Sequence, residues 1–141
     1  MHNLISETEI ETLCIEVYPP HQKSFVVSAI YKPPDCAMSF YDNLEKYVYE
    51  IEEVNKNLIL IGDFNCNFDM SKNQTDPNYA KLRDLSNLFQ LDQLINDYTR
   101  VTDKSKTIID LIFTTDPTNH FLNGVFPTTL SDYYTIFTVI N

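Results

Sequence analysis

Residues 58–65 read Leu-Ile-Leu-Ile-Gly-Asp-Phe-Asn, a short apolar run that ends in a glycine and two side chains bearing oxygen. Four consecutive aliphatic residues predict a buried β-strand, and Gly62 permits close approach of a neighbouring backbone. Because side chains alternate along a strand, Asp63 and Asn65 are expected to face the same way at one rim of a sheet. A simple turn is the alternative interpretation, since glycine, aspartate and asparagine all favour turns.

Two further aspartates follow strand-like or turn-like segments downstream. Asp110 lies within Thr-Ile-Ile-Asp-Leu-Ile-Phe, and Asp132 lies within Leu-Ser-Asp-Tyr-Tyr. A buried carboxylate among apolar residues needs a cation or several hydrogen-bond donors, whereas Asp110 on an edge strand would face water. Asp132 taken alone favours a turn. Together with Asp63 and Asn65, these side chains suggest a phosphate-handling site that uses a divalent cation.

The length and composition fit one globular domain. A chain of 141 residues is long enough for a hydrophobic core, and its charged fraction of 21% argues against disorder. The formal net charge of −10 counts against strong independent binding to nucleic acid. Proteins that grip DNA usually present a basic surface, because phosphate contacts dominate their affinity.

The cysteines and the first residues indicate an intracellular protein, nuclear or cytoplasmic rather than secreted. Three cysteines without C-x-x-C spacing predict neither a disulfide framework nor a zinc site. Residues 1–10 lack the basic segment and long apolar stretch of a signal peptide. No run of residues approaches the ~18 apolar residues of a membrane span.

Hydrophobic periodicity predicts an α/β domain in which helices cover a sheet. Ser39 and Asp42 resemble a capping box at the start of the first helix, and Asp76-Pro77 is a typical start for the second. The apolar stripe predicted for the first helix is Leu44, Tyr47, Val48, Ile51 and Val54. In chain order the pattern predicts a hairpin of strands 12–17 and 24–32, a helix at 39–55, a strand at 58–62, a helix at 78–90, and strands near 93–96, 107–114, 120–126 and 133–140.

Four segments in a set order carry a resemblance to a known family. They read Ile-Tyr-Lys-Pro-Pro at 30–34, Gly-Asp-Phe-Asn at 62–65, Arg-Val-Thr followed by Ser-Lys-Thr-Ile-Ile-Asp-Leu-Ile-Phe-Thr within 100–114, and Leu-Ser-Asp-Tyr-Tyr-Thr-Ile-Phe at 130–137. The chain resembles the endonuclease/exonuclease/phosphatase superfamily, in particular the endonuclease domain of non-LTR (LINE-type) retrotransposons. The resemblance implies a four-layered α/β sandwich that cleaves phosphodiester or phosphomonoester bonds with Mg²⁺ and a water nucleophile.

The resemblance also implies a role for each matching side chain. Asp63 would orient or deprotonate the attacking water, and Asn65 would hold that water or a phosphate oxygen. Tyr31 would hydrogen-bond the phosphate or assist the leaving group.

On the same basis, the later motifs supply the remaining groups. Asp132 would contribute to the metal environment, and Thr102 and Ser131 would lie beside the substrate. Asp110 would hold the histidine that follows Ser-Asp in the family pattern, fixing its tautomer and its charge. Mg²⁺ is the cofactor implied, and hard oxygen ligands suit it.

Two departures from the family pattern bear on activity. Tyr133 occupies the position of the histidine, and a phenol, unlike an imidazole, has no positively charged form with which to act on a phosphate. Loss of such a group typically costs about 10²–10⁴ in rate. The family's first strand and its metal-binding glutamate have no match here. Residues 1–141 are therefore expected to form one N-terminally truncated domain, a partial sandwich with an exposed sheet edge or apolar face.

The sequence thus predicts a retrotransposon-derived endonuclease-like domain whose parent activity is DNA strand nicking, impaired here. DNA is the partner that the resemblance implies, and the acidic charge weakens that expectation. Two alternatives stay open. One is a working Mg²⁺-dependent nuclease or phosphatase with altered ligands, which another chain could complete. The other is a non-enzymatic module that kept the scaffold and binds protein through the exposed edge.

Overall fold

The computed structural model describes residues 10–55, 57–69, 71–72 and 75–141. Of the two helices within those ranges, neither is long and apolar enough to cross a membrane. In chain order the elements are β1 (Glu11–Val17), β2 (Phe25–Tyr31), α1 (Ser39–Val54), β3 (Leu58–Asp63), α2 (Pro77–Leu88), β4 (Asp92–Gln93), β5 (Arg100–Val101), β6 (Lys106–Thr107), β7 (Asp110–Thr114), a short 3-10 turn (Pro117–Asn119), β8 (His120–Phe126) and β9 (Thr135–Ile140).

A five-stranded sheet organises the fold, in the order β1-β2-β3-β7-β4. Strands β2 and β3 run parallel, with α1 as the connection between them, whereas the other neighbouring pairs are antiparallel. The β8–β9 hairpin forms a separate pair of strands, and β9 contacts β7. This mixed arrangement of strands and helices confirms the α/β fold class predicted from the sequence.

The helix α1 covers one face of the sheet with its apolar stripe. Leu44, Tyr47 and Val48 are fully buried, and the Tyr47 hydroxyl group hydrogen-bonds with that of Ser28 in β2 at 2.5 Å. Val54 is 52% exposed, since it is the last residue of the helix. The predicted stripe is therefore wrong only at its final position.

Among the described residues, the opposite face of the sheet is covered only towards β7. Leu13, Ala29, Ile61 and Ile112 lie in register across β1, β2, β3 and β7, so their side chains form one row on this face. Exposure is 65% at Leu13 and 0% at Ile112, which belongs to the strand that β9 contacts. Ile15, two residues further along β1, is 50% exposed. The apolar surface left open is thus the β1–β2 half of this face.

The two helices differ in how well the sequence predicts their starts. Asp76 caps α2, because its side chain accepts a hydrogen bond from the Asn78 N–H at 2.8 Å, as predicted. The predicted capping box of Ser39 and Asp42 is wrong. Met38 is the N-cap of α1, and it makes no side-chain capping bond.

The predicted strand 107–114 is divided into β6 and β7. Between these two strands, the N–H groups of Ile108 and Ile109 donate to the side chains of Asn67 and Thr99, both at 3.0 Å. Side-chain acceptors here take the place of a neighbouring strand. The ladder is therefore interrupted just before the aspartate that begins β7.

Candidate functional site

Three of the predicted site residues lie side by side at one end of the sheet. Tyr31 ends β2, Asp63 ends β3 and Asp110 begins β7. The register pairs Tyr31 with Asp63 and Asp63 with Asp110, so the three side chains project from the same face. The structure thus brings together three residues that the resemblance assigned to one site.

A turn after β3 fixes Asp63 and Asn65 relative to each other. The Asn65 N–H donates to Asp63 Oδ1 at 2.8 Å, and Asn65 Nδ2 donates to the Lys32 carbonyl oxygen at 2.8 Å. Asn65 has a φ of 42°, in the left-handed region that asparagine tolerates. Strand alternation was the wrong basis for relating the two side chains, because β3 ends at Asp63.

Burial raises the pKa of both carboxyl groups in this row. For Asp63, the Asn65 N–H bond and the positive charge of Arg100 oppose the rise. For Asp110, burial and repulsion from Asp63 raise the pKa to about 6, against a hydrogen bond to Thr99 and the charge of Arg100. Asp110 Oδ2 is buried and has no hydrogen-bond partner within the described residues. A carboxyl group that titrates this close to neutral pH is typical of functional sites.

Asp110→Asn is expected to raise the free energy of unfolding by about 1 kcal/mol at neutral pH, after allowance for solvent screening of a half-buried group. The folded pKa of about 6 lies above the ~3.9 of an unfolded aspartate, so the ionised side chain opposes folding above that range. As the pH falls through this window the folded state takes up its proton first, and the cost disappears. Asparagine avoids the cost throughout, so the gain should be roughly halved near pH 5.

Urea denaturation at the two pH values measures this difference. Asp92→Asn, at an exposed position of β4, is the matched control. It should change stability by less than about 0.5 kcal/mol at either pH. An effect of Asp110→Asn that is the same at both pH values would contradict the raised pKa of this carboxyl group.

The segment Ser131, Asp132 and Tyr133 is exposed, but its backbone is tied to the site. The Val101 N–H donates to the Asp132 carbonyl oxygen at 3.0 Å, and a β-bridge joins Tyr133 to Arg100. The Ser131 hydroxyl group donates to the Tyr133 carbonyl oxygen at 3.1 Å, a bond within the turn itself. The structure thus places Tyr133 beside β5, while the side chains of Ser131 and Asp132 lie at the surface.

Thr102 makes its hydrogen bonds inside the β5–β6 turn. Its hydroxyl oxygen accepts from the N–H groups of Lys104 and Ser105 at 3.2 and 3.0 Å. These bonds stabilise the turn. A place for Thr102 beside the substrate stays a prediction.

Three residues near the site had no role predicted from the sequence. Thr99 is fully buried, and its Oγ1 accepts from the Asp110 N–H at 3.0 Å, which anchors the start of β7. Lys32 is 1% exposed, with Nζ 5.9 Å from two aromatic ring centres of α1. Arg100 holds its guanidinium carbon 5.0 Å from the ring centre of Tyr133. Lys32 lies in the Ile-Tyr-Lys-Pro-Pro motif, and Arg100 begins the Arg-Val-Thr motif. Their positions in these motifs were the sequence feature that could have pointed to them.

The donor set does not form a complete metal site within the described residues. No group of three or more histidine, cysteine, aspartate or glutamate side chains is placed there to hold an ion. Asp63 and Asp110 supply two carboxylates, but burial raises the pKa of both, and Asp132 is exposed. Mg²⁺ usually binds through one or two carboxylates with waters and substrate phosphates. The pair could therefore contribute ligands only beside other groups, and no catalytic step through a metal follows from it.

The fold, together with the residues at this end of strands β2, β3 and β7, defines an endonuclease/exonuclease/phosphatase-like domain. The endonuclease domain of TRAS1, a telomere-specific non-LTR retrotransposon, matches with a TM-score of 0.72 and 14% identity, over 92% of this chain and 63% of that one. A family protein from Leptotrichia buccalis matches with a TM-score of 0.66 and 18% identity, over 92% and 53%. The 3′ phosphatase NExo from Neisseria, bound to a product DNA hairpin, matches with a TM-score of 0.60 and 15% identity, over 83% and 61%.

The family model described as endonuclease-reverse transcriptase matches residues 25–137. The chain therefore belongs to this family, as the resemblance implied. It spans between 53% and 63% of the length of the three solved structures. No protein of curated function matches the chain.

Proposed function

We propose that the chain is a retrotransposon-related endonuclease-like domain that recognises phosphodiester groups and whose own DNA strand nicking is impaired. One observation carries the proposal: Asp63 and Asp110 pair at one end of the sheet, and Tyr133, which stands where the family pattern has a histidine, is bridged to Arg100, whose charge acts on both carboxyl groups. The shared fold with a retrotransposon endonuclease and with a DNA-bound phosphatase supports DNA as the partner.

The retained residues can position a phosphate ester and a water molecule. Asp63 Oδ1 is held by the Asn65 N–H, which orients the carboxylate to accept a hydrogen bond or a proton from water. Tyr31, 42% exposed beside it, can donate its phenolic hydrogen to a phosphate oxygen. Binding and orientation are thus the tasks for which this edge keeps suitable groups.

Catalysis is impaired because two contributions are weak. Tyr133 can donate a hydrogen bond but cannot place a positive charge on the phosphate, which costs about 10²–10⁴ in rate. Asp110 Oδ2, which would hold the histidine, is buried without a partner in the described part of the chain. Mg²⁺, the cofactor implied by the resemblance, would need ligands beyond the Asp63–Asp110 pair.

Nicking of supercoiled plasmid in Mg²⁺ tests this proposal, with Asp63→Ala as the matched control. We expect nicking by the wild-type protein no faster than by Asp63→Ala, together with weak duplex binding that disappears as salt is added. The net charge of −10 makes that binding weak, because an acidic surface repels phosphate. Nicking that is lost in Asp63→Ala would instead establish a working nuclease.

A second candidate function, a module that binds protein, is favoured by the open apolar face. Leu13 and Ile15 are 65% and 50% exposed on β1, which is an edge strand. The partner would be a polypeptide that completes the sheet and covers β1 as β9 covers β7. A folded sample with neither nicking nor duplex binding would favour this candidate.

A further inference from the structure

We propose that Arg100 is the cation that binds a phosphate oxyanion in this site. The proposal rests on the proposed function, because it names the ligand class of the same sheet edge. Arg100 Nε is buried and has no hydrogen-bond partner within the described residues. A buried donor without an acceptor is rare in folded proteins and calls for an explanation such as a bound water, ion or ligand, and we assign a bound anion to this one.

The backbone holds Arg100 firmly against Tyr133. Arg100 begins β5 and is bridged to Tyr133, while the Tyr134 N–H donates to the Thr99 carbonyl oxygen at 2.8 Å. The guanidinium carbon lies 5.0 Å from the ring centre of Tyr133, within the range of a cation–π contact. A contact of this kind restricts the guanidinium group, and its N–H groups can still donate to an anion. The tyrosine therefore positions a cation that is permanently charged.

The charge of Arg100 acts on both carboxyl groups of the site without an ion pair to either. The charge of Arg100 lowers the pKa of both Asp63 and Asp110, against the larger effect of burial. Even so, Arg100 forms no ion pair in the described part of the chain. Its positive charge remains available for a ligand that reaches the edge of the sheet.

A phosphate group fits this arrangement better than the other anions a protein site commonly meets. Its tetrahedral oxygens match the planar fork of a guanidinium group, which can donate two parallel hydrogen bonds. Lys32, the other cation near Asp63, is fully buried with Nζ 3.5 Å from the Pro33 carbonyl oxygen and packed over aromatic rings of α1. Arg100, which is only partly buried as a residue although its Nε is enclosed, is thus the more accessible of these two cations to an incoming phosphate.

The chain itself offers an unusually clear test, because Arg83 and Arg100 are its two arginines. Arg83 lies on the surface of α2 and is paired with Asp84 at 2.9 Å, so it serves as an internal control. In ¹⁵N–¹H spectra of the full chain, inorganic phosphate is expected to shift the Arg100 Nε signal saturably and to leave the Arg83 signal unchanged. Chloride at the same ionic strength should shift neither. Absence of an Arg100 shift, or equal shifts for both arginines, would overturn the proposal.

Duplex binding by fluorescence anisotropy forms the second arm and separates DNA from free phosphate as the source of the oxyanion. Arg100→Gln should weaken duplex binding about tenfold and reduce the salt slope by about 1. Arg83→Gln should stay within about twofold, and Tyr133→Leu should weaken phosphate binding while the fold survives. Phosphate binding at Arg100 without duplex binding would support this inference and contradict the proposed function. Duplex binding that Arg100→Gln does not weaken would support the proposed function and contradict this inference.

Discussion

Gly62→Ala is expected to lower the free energy of unfolding by about 4 kcal/mol or to prevent folding altogether. A Cβ atom at this position would lie 1.8 Å from the carbonyl oxygen of Ile30. That oxygen belongs to the backbone of β2, so it cannot rotate away as the end of a side chain could. Since domains are stable by only about 5–15 kcal/mol, this loss would remove a large part of the total.

The effect should reach the functional site as well. Ile30 pairs with Gly62 in the parallel β2–β3 ladder, and the next pair along the same strands is Tyr31 with Asp63. A Cβ atom between the two strands would force them apart next to Tyr31 and Asp63. Any Gly62→Ala protein that still folds is therefore expected to have lost duplex binding.

Gly124→Ala is the matched control for this prediction. Its Cβ atom would meet ring atoms of Phe137 at 3.2 Å, and a side chain can shift by the few tenths of an ångström required. The expected cost is below about 1 kcal/mol. Urea denaturation followed by circular dichroism measures both variants, and equal losses would contradict the account of the β2–β3 approach.

The sequence predicts best those features that depend on a few neighbouring residues. The aliphatic run before Gly62 is sufficient to predict β3, because such a run is typical of a buried strand, and Leu58, Ile59 and Leu60 are indeed buried. Asp76 followed by proline is sufficient for the start of α2. Asp63 and Asp110 were assigned to one site through the family motifs, and the antiparallel register of β3 and β7 places them opposite each other.

Features that depend on residues distant in the chain could not be read from the pattern. Asp110 begins β7 because Thr99, eleven residues earlier, accepts the hydrogen bond of its N–H group. The contact of Arg100 with Tyr133 needs the 127–134 loop to return to β5, and no local periodicity encodes that return. The N-cap of α1 is Met38 and not the predicted capping box, because a capping motif favours the start of a helix at a position without determining it.

Tyr133→His is expected to restore no plasmid nicking, so that the deficit of about 10²–10⁴ in rate remains. The substitution returns the side chain of the family pattern, which Asp110 would hold, and Asp110 Oδ2 has no hydrogen-bond partner within the described residues. It does not supply the missing metal ligand, because the described residues still offer no group of three donors. The neighbouring Arg100 adds a second obstacle, since a positive charge beside an imidazole disfavours its protonated form.

Tyr133→Phe is the matched control, because it keeps the aromatic ring against Arg100 and removes only the hydroxyl group. Both variants and the wild-type protein are expected to give the same background nicking in Mg²⁺. Nicking by Tyr133→His above that background, lost again when Asp63→Ala is added, would show that the imidazole was the one group missing. The carboxylate pair would then be a sufficient protein contribution to the metal environment, and impairment would be reversible by a single residue.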